Sequence, residues 1–181
     1  MSDTHQPTRG LILVFTGNGK GKTTAALGTA LRAIGYGHRV AIIQFIKGTW
    51  KYGEMDSLAR IPEIELHRTG AGFYKIMDDK LPEEVHRQAA AQGLELAREK
   101  MKSGLYQLVI LDEINNAVKT GLLPVADVLL LLDEKPEPLD LILTGRDAAP
   151  EVVERADLFT EMREIKHPFQ QGLLAKRGID Y

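Results

Sequence analysis

The stretch "TGNGKGKTT", residues 16 to 24, follows the apolar run "LILVF" and leads into a helical pattern, and it restricts the fold more than any other part of the chain. Glycines at 17, 19 and 21 remove Cβ atoms at every second position, so successive backbone N–H groups can turn inward as a concave cradle for phosphate oxygens. From Lys22 to Ile34, Ala26, Leu27, Ala30, Leu31 and Ile34 recur at three- and four-residue spacing, and "GYG" at 35 to 37 provides a left-handed stop. Strand, glycine-rich turn and a helix opening "KTT" together make a phosphate-binding loop. The helix N-terminus aims unpaired donors and partial positive charge at the same point, Lys22 adds a mobile cation, and Thr23 a hydroxyl suited to magnesium. In the usual spacing G-x-x-x-x-G-K-[ST], Thr16 stands where the first glycine belongs. Lys20 has the alternative of a solvated surface position, and a tight turn with incidental lysines is the plainer reading of the whole stretch.

Apolar β-rich runs alternate with helical patterns along almost the whole length, the signature of βαβ units and a parallel sheet. Strands are predicted at Leu11–Phe15, Val40–Ile46, Ile64–His67, Leu108–Leu111, Leu139–Leu143 and Leu158–Ile165, with helices from Pro82 to Gly104, Pro124 to Asp133 and Pro150 to Ala156. The expected fold class is α/β, a three-layer fold of the phosphate-loop type with a mainly parallel sheet flanked by helices. Residues 11 to 181 are expected to form one domain behind a flexible polar tail, 1 to 10. The closing "HPFQQGLLAKRGIDY" breaks the pattern and reads as either a loose end or a flap folded over a site.

A second element supports the first. "LVILDE" at 108 to 113 is an apolar strand ending in two carboxylates, placed to sit beside such a loop. Asp112 is the candidate metal ligand with Thr23. Glu113 is either a water-orienting base or a hydrogen-bond partner, and a strand that merely exits into solvent is the bland alternative. Arg146, after the fourth strong strand, is placed to reach a phosphate or a carboxylate, or else to be a solvated loop residue. The five histidines share no ligand spacing, and the absence of cysteine removes thiolate nucleophiles and cysteine-bound metal. A net charge of -2 gives no footprint for nucleic acid. No apolar stretch approaches the ~20 residues of a membrane helix, and no export signal is read, so a cytoplasmic setting is expected.

Taken together, "TGNGKGKTTAALGTALRA" at 16 to 33, "QFIKGTW" at 44 to 50, "GFY" at 72 to 74, "VILDEI" at 109 to 114, "LTGR" at 143 to 146 and the closing "EIKHPFQQGLLAKRGIDY" resemble the phosphate-loop type of ATP:cob(I)alamin, or corrinoid, adenosyltransferases. The resemblance covers nearly the whole chain in family order, and it accounts for Thr16. It implies transfer of the 5′-deoxyadenosyl group of ATP to reduced cobalt, with Mg2+ or Mn2+ as cofactor. Gly17, Asn18, Gly19, Lys20, Gly21, Lys22, Thr23 and Thr24 would wrap the triphosphate, with Asn18 near the sugar end, and Glu113 and Arg146 would stand beside it. It further implies an aromatic clamp on the corrinoid, a flavoprotein reductant and a homodimer. The clamp motif usually reads G-F-T-W; here it is "GFYK", with Phe73 kept and Lys75 in the second aromatic position.

Overall fold

The computed structural model describes residues 9–47, 51–72, 74–75 and 79–181. Strands β1 (Ile12–Thr16), β2 (Val40–Gln44), β3 (Ile64–Arg68), β4 (Leu108–Asp112), β5 (Asp140–Thr144) and β6 (Leu158–Glu161) form one sheet in the order β3-β2-β4-β5-β1-β6. Every neighbouring pair is parallel. The helices are α1 (Lys22–Ile34), α2 (Gly53–Leu58), α3 (Glu83–Lys102), α4 (Ile114–Lys119), α5 (Val125–Asp133) and α6 (Pro150–Arg155), followed by a 3-10 turn at Pro168–Gln171.

The period-2 alternation of the strands builds the three layers. Val14, Ala41, Ile43, Val109, Leu111, Leu141 and Leu143 point to one face, where they meet Ala90, Leu94 and Ala97 of α3, Leu131 of α5 and Val152 of α6. Their neighbours Phe15, Val40, Ile42, Leu108, Ile110 and Ile142 point to the other, against Ala26 and Ala30 of α1 and Leu58 of α2. Burying side chains of this size contributes about 1.5–3 kcal/mol each, so the inner strands are the main source of stability.

With both faces apolar, hydrophobic pattern alone would tolerate a one-residue slip in register. Polar strand ends supply what the pattern lacks. The last residue of each of the four inner strands, Thr16, Gln44, Asp112 and Thr144, is buried and polar. The observed register sets Gln44 opposite Asp112, where the amide nitrogen donates to the Asp112 carboxylate at 3.1 Å. A slip would strand these groups unpaired, at about 1–3 kcal/mol for each.

Three features differ from expectation, the first being that β2 stops at Gln44 and not at Ile46. β6 stops at Glu161 instead of Ile165, because its partner β1 ends at Thr16: the Met162 N–H makes the last ladder bond, to the Thr16 carbonyl at 2.8 Å, and the Met162 carbonyl already accepts from Gly19 of the following loop. Helices α2 and α4, six residues each, carry too few turns for a readable period. Gly104, at φ 71°, does follow α3 as anticipated.

At the β3 edge, Glu65 accepts from Lys100 at the end of α3, at 2.8 Å, and from the Tyr106 hydroxyl. These bonds, that from Lys100 first, hold its carboxyl at about 2, below the ordinary 4.5. A depressed carboxylate stabilises the fold above its unfolded value and loses that contribution as pH falls through the folded one. Thermal melts of Glu65→Gln are therefore expected to lie below wild type at neutral pH and to converge on it between pH 4.5 and about 2. Parallel melting curves across that range would disprove the linkage.

Candidate active site

The carboxyl ends of the inner strands gather the polar residues, as open α/β sheets do. Asp112 is the hub and is almost wholly buried. Its Oδ1 accepts from the hydroxyls of Thr23 at 2.8 Å and Thr144 at 2.7 Å. Its Oδ2 accepts from Gln44 and pairs with the Lys47 ammonium, both at 3.1 Å. Strand β5 lies between β4 and β1, and Thr144 at its end links Asp112 to the loop side of the sheet; the same hydroxyl accepts from the Glu113 N–H at 3.0 Å.

The glycine-rich loop needs its glycines for two reasons. Gly21, the residue before α1, sits at φ 114°, a conformation side chains rarely adopt. Gly19 lies so close to the chain leaving β6 that a Cβ would come within 2.8 Å of the Met162 carbonyl oxygen. The Gly19 N–H donates to that oxygen at 2.7 Å, so it anchors the loop and does not point into the cradle. Lys22 reaches back over the loop and donates to the carbonyls of Gly17 at 2.7 Å and Gly19 at 2.8 Å. Burial, then the nearby charge of Arg146, lower its pKa from the ordinary lysine value. An ammonium so placed gains from an anion.

Three chambers lie beside these residues, two of them lined by the loop itself. A cleft of about 530 Å3 is bounded by Lys20 to Thr24, Lys47, Tyr52, Glu54, Glu113 and the C-terminal residues 178–181. A second, of about 330 Å3, has Asn18, Lys20, Lys22 and Arg146 in its wall. A third, of about 260 Å3, is bounded by Lys47, Tyr74, Glu113, Asn116 and Arg146. Every described residue singled out in the sequence as a nucleotide or metal contact therefore lies on these walls or in the loop and hub between them.

The closing segment is a flap and not a loose end. Asp180 pairs with Lys20 at 2.8 Å, so Lys20 is not simply solvated, and the backbone of Tyr181 lies beside Gly53 at the start of α2. Glu113 stands at φ 68° ahead of α4, and burial followed by the adjacent Asp112 carboxylate raises its pKa. Arg146 is exposed, with its backbone N–H donating to Asn116 Oδ1 at 2.6 Å.

Thr23 and Asp112 offer a hydroxyl and a carboxylate side by side, hard oxygen donors that suit a magnesium-sized cation completed by phosphate and water. Among the described residues there is no group of three or more His, Asp or Glu side chains to hold a metal alone. A cation here would depend on a nucleotide's own oxygens.

The model of the ATP:corrinoid adenosyltransferase BtuR/CobO/CobP family matches residues 8–181. The chain belongs to this family. It is 40% identical to the corrinoid adenosyltransferase of Escherichia coli K12 over 176 residues, covering 97% of this chain and 88% of the relative. It is 39% identical to the corrinoid adenosyltransferase CobA of Salmonella typhimurium LT2, with the same coverage, and 37% identical to that of Pseudomonas aeruginosa PAO1, covering 96% of this chain and 84% of the relative.

Of the motifs singled out in the sequence, Lys47 and Arg146 each line two of the chambers and Tyr74 lines one. Phe73 and residues 48–50 lie outside the described residues. Tyr74, which follows Phe73, is buried on the wall of the third chamber, donates to Glu83 at 2.5 Å and packs its ring 5.1 Å from that of His86. Lys75, which stands where the resemblance would put a second aromatic residue, has φ 59° and folds its ammonium over the Tyr74 ring at 4.6 Å. Sequence reasoning gave no role to Gln44, Lys47, Thr144 or Asp180. The first three end or follow strands β2 and β5, where ligands collect, which was the available signal; nothing local in the tail points Asp180 at Lys20.

Proposed function

We propose that this chain transfers the 5′-deoxyadenosyl group of ATP to the cobalt of a reduced corrinoid, in cobalamin biosynthesis or salvage, leaving inorganic triphosphate. What carries the reading is a family match over nearly the whole chain, joined to a loop, Thr23 and Asp112 assembled at one sheet edge. The reduced cobalt supplies the electron pair for the new cobalt–carbon bond, and the bond from the 5′ carbon to oxygen breaks with its pair going to triphosphate. No protein nucleophile is needed, in keeping with a chain that has no cysteine.

The protein's work is alignment and charge stabilisation. In this reading Gly17 to Thr24 wrap the triphosphate, with Asn18 near the sugar end, and Lys22 and Arg146 take up charge that develops on the leaving oxygen. Thr23 and Asp112 hold Mg2+ or Mn2+, which when bound neutralises phosphate charge. Glu113 serves as a hydrogen-bonding wall, since adenosyl transfer has no attacking water for it to activate. Phe73 clamps the corrinoid and displaces the lower cobalt ligand, with Tyr74 adding apolar surface. A flavoprotein reductant, a homodimer and a cytoplasmic setting complete the reading, supported by family membership; no helix among the described residues is long and apolar enough to cross a membrane.

The deciding measurement is product identity. Anaerobic mixing of protein, magnesium, ATP and reduced corrinoid is expected to yield triphosphate in step with adenosylated corrinoid, followed by the corrinoid absorption change. Release of ADP without a cobalt–carbon bond would make the protein a nucleotide hydrolase or kinase instead.

A further inference from the structure

The three chambers share walls in a ring, and a cation stands at each shared wall. Lys20 and Lys22 belong to both the large cleft and the second chamber, Arg146 to both the second and the third, and Lys47, with Glu113, to both the third and the large cleft. Lys22 and Arg146 have a part in the reading above; Lys47 has none. We propose that Lys47 is a further phosphate-binding cation of this site, gripping the triphosphate from the side of Asp112 opposite Thr23. The proposal rests on the adenosyltransferase reading and adds a residue to it.

Sheet order places Lys47 there. It follows β2, while the phosphate loop follows β1, and β4 with its terminal Asp112 lies between those strands. Thr23 accordingly meets Asp112 Oδ1, and Lys47 meets Oδ2. The Lys47 side chain is 12% exposed and its ammonium has one other oxygen partner, Glu54 Oε1 at the long distance of 3.4 Å, with the Tyr52 ring 5.0 Å away. An ammonium has three N–H bonds, and the described residues give this one only those two oxygens. It keeps a donor for the cleft whose wall it forms. A phosphate chain that leaves whole is a polyanion, and a cation additional to Lys22, Arg146 and one divalent ion, held in place by its bond to the buried Asp112, meets part of that charge without reorganisation.

The rival explanation is that Lys47 only balances the buried Asp112. Calorimetric titration with inorganic tripolyphosphate in EDTA separates the two, because it involves neither metal nor catalysis. Lys47→Gln is expected to weaken binding by about tenfold or more, the usual effect of losing a charged hydrogen bond, with Lys22→Ala also weakened. Lys47→Gln binding within twofold of wild type overturns the proposal. In that case a weakened Lys22→Ala leaves the phosphate-loop reading standing, and an unweakened one brings that reading down too. Should Lys47→Gln fail to fold, Asp112→Asn is compared with Asp112→Asn/Lys47→Gln, which exchanges the ion pair for two neutral amides. The double variant is expected to bind about tenfold more weakly than the single one, and equal affinities overturn the proposal.

Discussion

In Lys22→Ala, turnover with ATP and reduced corrinoid is expected to fall about 100-fold or more, equivalent to roughly 2.7 kcal/mol of lost transition-state stabilisation. The expectation comes from what Lys22 touches. Its ammonium is spent on the carbonyls of Gly17 and Gly19, which form the loop itself, and on no acidic side chain. Burial and the charge of Arg146 disfavour the ammonium more than the Glu113 and Asp112 carboxylates favour it, so an entering polyanion improves its surroundings. Charge grows on the leaving oxygen as the bond to the 5′ carbon breaks, so kcat should drop at saturating ATP and not only the apparent affinity. The folded state loses little, because the loop remains anchored by Gly19 on Met162 and Met162 on Thr16. A melting temperature close to wild type with a hundredfold slower single turnover is the expected pair of results. Near-normal single turnover would remove Lys22 from the site.

The architecture was legible because the strands are short apolar runs with both faces covered, and helices α1, α3 and α5 carry enough turns to show a period. Asp112 and Thr23 could be paired from sequence because a phosphate loop and an acidic strand end constrain one another across 89 residues. Other parts were hidden for physical reasons. Helix α4 begins from Glu113 in a left-handed conformation, which no propensity favours for glutamate and which the bond from its N–H to Thr144 helps hold. The early end of β6 follows from where β1 ends and from the bond that Gly19 of the loop makes to the Met162 carbonyl, a contact between residues far apart in the chain. The flap became assignable only when Asp180 met Lys20 in three dimensions. Lys47 lay inside a recognised motif, yet its chemistry appears only in the sheet order that brings β2 alongside β4.

Asp112→Asn is expected to damage both activity and stability, and the two losses should be separable. Turnover falls by about 100-fold or more, because the neutral amide no longer supplies the negative oxygen beside Thr23. Stability falls for a different reason. The amide oxygen can still accept from Thr23 and Thr144, and Gln44, whose Oε1 has no partner, can turn its own amide to accept from the new nitrogen. Lys47 has no such remedy, since its closest carboxylate oxygen is lost and Glu54 lies at 3.4 Å. Removing one partner of a buried pair costs about 3–5 kcal/mol, which for a chain of this size lowers the melting temperature by at least ~6 °C. Adding Lys47→Gln removes the stranded charge and is expected to recover most of that loss, while turnover stays low. Recovery of activity together with stability in the double variant would mean that Asp112 serves the fold alone; failure to recover stability would mean that Lys47 is not what the aspartate holds in place.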